Sequence, residues 1–201
     1  MGNSRVIWSH EVNQADKIAR SLIETRRVRF GWRILFPPSL LLNYIRFRKS
    51  LILTRKNLLF TKQSAFDAAK EIFYGKDRAL EIRSIEIKTK KILGKEGKGY
   101  YTEKVRRKQL HEIELLIDHY LDLLNSNRMS YGEMIKVTYQ SKKRYLSFLN
   151  ELHEIEQEVI QAAITTMRKG SKKDRLRWFR KVQETSKKAR MEEVERIFLE
   201  G

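Results

Sequence analysis

An all-α fold, an elongated helical bundle with long coiled-coil-like helices in its C-terminal half, is predicted by three features of this sequence. Apolar residues recur in steps of three and four along most of it, the spacing of one face of an α-helix. Two prolines and nine glycines in 201 residues leave long stretches without a helix breaker. Leu, Ile, Glu, Lys and Arg are abundant, a composition that favours helix. One stretch, Glu81–Lys88 (EIRSIEIK), alternates as a strand would. No second strand pattern exists to pair with it, so it too is read as helix.

The length fits one continuous domain, with a basic N-terminal part over residues 1–75 and a helical bundle over 76–201. Ser9 is expected to cap a first helix running from His10 to about Arg27, with Val12, Ala15, Ala19, Leu22 and Ile23 on one face. A second helix is expected from Ser39 to Lys62, continuing through Phe66, Ala69, Ile72 and Phe73 to a C-cap at Gly75. Lys76–Leu93 gives a third helix, followed by a glycine-rich loop over Gly94–Gly99 (GKEGKG). A fourth runs from about Thr102 to Asn125, with Leu110, Ile113, Ile117, Tyr120 and Leu124 as its face. Ser130 is expected to cap one long helix reaching Met167, in which Tyr145, Leu149, Leu152, Ile155, Val159 and Ala162 form a near-heptad seam. A last helix, opened by Ser171 and Asp174 as a variant capping box, carries Leu176, Phe179, Val182, Ala189, Val194 and Ile197.

Net charge is +18, which points to an anionic partner: an acidic membrane surface, nucleic acid or an acidic protein. The charge is uneven. Residues 17–62 hold twelve Lys or Arg against one anion, Glu24. Within them lies the most apolar stretch of the chain, Trp32 to Leu42, broken by Pro37–Pro38. The apolar block Ile34–Ile45 has twelve residues, short of the roughly 20 that a spanning helix needs. Pro38 lacks an N–H, and Pro37 is biased away from the α region, so a helix stops there. Trp32 and Tyr44 are interface aromatics, Phe36, Leu40 and Leu41 an apolar tip, and Arg33, Arg46, Arg48 and Lys49 a cationic rim. Such a corner suits a membrane wedge; core packing and a protein interface are the competing readings. A second basic surface pairs Lys172, Lys173, Arg175, Arg177, Arg180 and Lys181 with Trp178.

Catalytic and metal motifs are weak. GKEGKG is no P-loop, because Ile92 stands where the first glycine belongs and Gly99, not Ser or Thr, follows Lys98. His111, Glu114 and Asp118 share a helix face, with His119 and His153 elsewhere among carboxylates. The di-iron pattern needs Glu three residues before His, and Lys108, Leu116 and Asn150 occupy those places. Eleven cations and ten anions over Glu103–Lys169 read as a solvated, salt-bridged surface. Without cysteine there is no thiolate ligand, cysteine nucleophile or disulfide. The start MGNSRV has Val6 where a myristoylation site wants Ser or Thr, and the N-terminus shows no signal-peptide run.

The expected function is a non-enzymatic helical scaffold or adaptor, cytoplasmic and membrane-associated, docking on an anionic membrane surface through the Trp32–Lys49 corner. A phosphate-contacting nucleic-acid-binding protein and a basic subunit of a larger complex are the alternatives, with a protein partner or homo-oligomer left open. No cofactor and no small-molecule substrate are expected.

Overall fold

A computed structural model of the chain describes residues 2–24, 55, 58–95, 102–166 and 172–199. The described residues form α1 (Gly2–Glu24), α2 (58–73), α3 (Arg78–Lys95), α4 (Glu103–Asn125), α5 (Tyr131–Tyr139), α6 (Lys142–Thr166) and α7 (Lys172–Leu199), with no strand among them. The protein is all-α, and Glu81–Lys88 lies inside α3.

Two helix boundaries differ from the sequence expectation. α1 begins at Gly2, so Ser9 is an exposed residue of its third turn and not a cap. The first two turns are drawn into the helix by packing: Ile7 is fully buried and Trp8 stacks on Phe66 of α2, ring centroids 5.6 Å apart. The long helix expected from Ser130 is two helices. Ser130 does open it with a complete capping box to Glu133. Gln140 then enters the left-handed region at φ 60°, and the Ser141 hydroxyl accepts a bond from the Arg144 N–H at 3.3 Å, starting α6. The break lets α5 turn Met134 and Ile135 into the core from another direction.

Other ends fall where the sequence places them. Gly75, φ 97°, closes α2: its N–H reaches Ile72 O at 2.9 Å, and the Lys76 N–H reaches Glu71 O at 3.0 Å. That pair of bonds is a Schellman motif, and its left-handed residue is strained for anything but glycine. Asp77 follows at once and caps α3 through the Leu80 N–H, 2.9 Å. Thr102 caps α4. Gly94 and Lys95, expected in a loop, complete α3; the rest of GKEGKG and the Ser171 cap lie outside the described residues.

Packing is antiparallel around α4. Its buried face is Leu110, Ile113, Leu116, Ile117, Tyr120, Leu123 and Leu124, broader than the five positions the periodicity picks out. α6 runs antiparallel to it, with Tyr145, Leu149, Leu152, Ile155 and Ala162 buried and Val159 at the edge. α1 crosses α4 antiparallel, Asn3 bonding Leu124 O and Glu11 bonding Tyr120. α2 returns along α1, and α7 runs antiparallel to both α1 and α6.

Candidate functional site

The directions of the helices decide where the charge goes. α1 and α3 end, and α2, α4 and α7 begin, at the same end of the bundle. A small apolar cluster fixes part of this end: Ile18 and Leu22 of α1 and Ala189 of α7 pack with Leu58 of α2 and with Trp178 and Val182 of α7. The chain positions on either side of residues 25–57 are thereby held beside the first turns of α7. The connection from α3 to α4 is at this end as well, because Arg78, at the start of α3, pairs with Asp118 far along α4.

Three segments border these helix ends. Residues 17–62 carry twelve Lys or Arg and one anion; residues 88–108 carry nine and two; residues 168–181 carry eight and one. Fourteen Lys or Arg and twenty-one Asp or Glu are left for the remainder, which is therefore net acidic. By position in the sequence, the positive charge is concentrated in the segments that adjoin these helix ends.

The corner residues Trp32, Arg33, Phe36, Leu40, Leu41, Tyr44, Arg46, Arg48 and Lys49 lie outside the described residues. Of the second basic surface, Lys173, Arg177 and Arg180 are exposed and Lys181 is half-buried; the side chains of Lys172 and Arg175 are outside the description. Trp178 is half-buried against the Ile18–Leu22 cluster, a packing residue at the foot of the basic stripe.

A second polar assembly runs through the interior, where apolar residues would be expected. Lys62 Nζ lies 2.5 Å from Glu11 Oε2, and the Tyr120 hydroxyl donates to Glu11 Oε1 at 2.9 Å. The Tyr145 hydroxyl donates to Glu193 at 3.0 Å, and His10 Nε2 stands 3.0 Å from the same carboxylate. Gln14 also bonds Glu193. Arg190 grips Glu156 with two bonds, 2.8 and 2.5 Å. A cavity of about 40 Å³, room for a water molecule and not for an organic substrate, lies among these groups.

Burial alone pushes these carboxyls up, and their partners decide the outcome. At Glu11 the Lys62 charge and hydrogen bond outweigh burial and bring it down to about 2. At Glu156 the Arg190 guanidinium likewise outweighs burial. Glu193 is held low against its burial by the bonds from His10 and Tyr145. At Glu112 burial, then the neighbouring Glu156, outweigh the opposing charges of Arg190 and Lys62 and push it up to about 8, so it keeps its proton at neutral pH. His119 is driven down to about 4 by burial, remains neutral, meets the Tyr139 hydroxyl at 2.7 Å and stacks on Phe148. These groups fasten helices to one another. The low-titrating carboxylates are weak bases; Glu193 also borders an open groove of about 460 Å³ beside His10, Lys17 and Arg196.

Sequence reasoning passed over this assembly, although a signal was present. Ile7, Glu11 and Ala15 follow one another at i+4, so Glu11 occupies a core position of the pattern. Glu112, His119 and Glu193 do the same on their helices. The histidine–carboxylate face on α4 is not gathered into a site: Asp118 pairs with Arg78, His119 is interior, and His153 meets Gln157 at 2.8 Å. Among the described residues no three His, Asp or Glu side chains are grouped to hold a metal ion. Nor is any described helix long and apolar enough to cross a membrane. No family model, curated protein or solved structure matches the chain.

Proposed function

We propose that this protein is a non-enzymatic helical scaffold or adaptor that docks peripherally on an anionic membrane surface, on the cytoplasmic side, through the basic end of its bundle. The observation that carries the reading is the convergence of the helix ends bordering three strongly cationic segments, with net acidic remainder behind them. A charge separated in this way turns one end toward an anionic surface and the other away. The apolar, aromatic stretch Trp32–Leu42 belongs to the largest of those segments and supplies what purely electrostatic binding lacks. In this reading α6, with its near-heptad seam, and its antiparallel neighbour α7 serve as a coiled-coil-like spacer behind the docking end.

Co-sedimentation with phosphatidylserine-containing vesicles, beside gel shifts with RNA and DNA at two salt concentrations, tests it. Each basic residue near an anionic surface contributes about 1 kcal/mol, so the triple change Lys91→Glu, Arg177→Glu, Arg180→Glu should weaken vesicle binding by at least about two orders of magnitude. Phe36→Ser with Leu40→Ser should weaken it at every salt concentration, because apolar insertion is not screened. Tight gel shifts with no vesicle binding would replace the membrane by nucleic acid.

A further inference from the structure

The basic residues at this end are distributed across the whole width of the bundle. On one side are Lys88 and Lys91 of α3 with Lys104 of α4; on the other are Lys173, Arg177 and Arg180 of α7. All six are exposed, and none has an ion-pair partner among the described residues. α3 packs on α4 and does not touch α7; α4, then α1 and α6, lie between them. α4, α6, α7 and α1 close a ring of neighbouring helices, so at packing distances of roughly 8–10 Å α7 lies diagonally across from α4, and α3, packed on α4, stands roughly 20 Å from it. That is about twice the Debye length of about 10 Å at 0.1 M salt, so the two patches act as separate footholds.

Resting on the docking proposal above, we infer that the protein stands end-on upon an anionic lipid bilayer, with α3 and α7 both at the surface and the helix axes along the membrane normal. One patch alone would tip the bundle onto a flank. Laying the bundle on a flank would also bring carboxylates of its net acidic remainder against the lipid phosphates, which repel them. With both patches seated, that remainder is carried away from the surface. α1 and α4 have 23 residues each, so the turns at 74–77 and 126–130 are lifted about 35 Å, at a rise of 1.5 Å per residue.

The absence of cysteine makes the test direct, since a single introduced thiol can be spin-labelled in the full chain. Four variants suffice: Lys90→Cys on α3, Glu184→Cys on α7, and Tyr74→Cys and Arg128→Cys in the two far turns, all at exposed positions. Each is mixed with phosphatidylcholine vesicles containing phosphatidylserine, and its access to a water-soluble nickel relaxant is measured by power saturation. The end-on arrangement requires access to fall severalfold at 90 and 184 together and to stay unchanged at 74 and 128. A fall at 90 without 184, at 184 without 90, or at a near and a far label on one flank overturns the orientation while leaving docking intact. Protein that stays in the supernatant before any label is read refutes the docking proposal itself, and the orientation with it.

Discussion

The α4–α6 pair and the α1–α2 hairpin bury their core faces in opposite ways. α4 presents Leu110, Ile113, Leu116, Ile117, Leu123 and Leu124, and α6 answers with Leu149, Leu152 and Ile155. On α1 and α2 the buried apolar residues include five alanines, Ala15, Ala19, Ala65, Ala68 and Ala69, with Ile7, Ile18, Leu22 and Phe66 as the larger ones. Glu11 and Lys62 sit in their midst. The first interface draws its stability from apolar area at about 25 cal/mol per Å². The second offers less area and depends on a desolvated ion pair, which is costly to break and indifferent as a source of net stability. Apolar packing makes the scaffold; the buried charges fix the register of the hairpin that leads into the basic segment.

That contrast can be broken most sharply at Lys62. Lys62→Met should cost about 3–5 kcal/mol at pH 7, because it strands the Glu11 carboxylate without its cation. The deficit should shrink as pH falls and Glu11 takes up a proton, and Glu11→Gln combined with Lys62→Met should recover most of it. Urea midpoints of the wild type and the two variants decide the matter; a stable single variant would show that the hairpin is not pinned by this pair. On the scaffold side, Ile117→Ala should cost about 2–5 kcal/mol by opening a cavity, with no dependence on pH between 6 and 8. A pH-dependent loss there would blur the two classes.

The third prediction concerns Glu112, a charge-bearing group on the scaffold itself. Its folded value of about 8 lies above the ordinary 4.5, so the folded state binds its proton more tightly. Stability from this group is complete below 4.5 and is lost as pH rises toward 8. His119 works in the other direction: its folded value of about 4 lies below its ordinary 6.5, so its contribution is complete above 6.5. Between pH 6.5 and 8 the fall due to Glu112 is therefore separated from His119. It should reach at most about 1.4 kcal/mol per pH unit, and Glu112→Gln should flatten it. An unchanged slope in that variant would remove Glu112 as its source. The smallest effect belongs to a position outside both interfaces: Ser130→Ala deletes the capping box of α5 and should cost about 1 kcal/mol, read by thermal or urea unfolding.

Much of the architecture is legible in the sequence because helical packing is written in a local period. All five α4 positions chosen by three–four stepping are buried, and five of the six seam positions on α6 are. Turn chemistry is legible where a residue has one role, as Gly75, Thr102 and Ser130 do. The α5–α6 break is harder to read, because Gln140 is an uncommon residue for the left-handed region and only Ser141 hints at a new start. The early start of α1 depends on Trp8 meeting Phe66, a contact 58 positions away in sequence. The interior charges are hidden for the same reason: Glu11 looks like a surface glutamate until Lys62 and Tyr120 are brought to it. As for the basic end, the sequence shows two basic stretches, and the helix directions bring together the described chain positions that flank them.

The hydroxyls of Tyr120 and Tyr145 illustrate what interior placement does to light absorption. Burial first, then the carboxylates they bond, push both phenols far above the value near 10 at which a solvent-exposed phenol ionises. In an alkaline titration followed at the ultraviolet tyrosinate band, these two chromophores should stay silent while the fold persists. Once the bundle opens they meet water and ionise together, drawing the equilibrium further toward the unfolded chain. The spectrum should thus rise in two stages, a gradual one from surface phenols and an abrupt one at the collapse of the helices. The chain carries its own optical indicator of tertiary integrity, with no label attached.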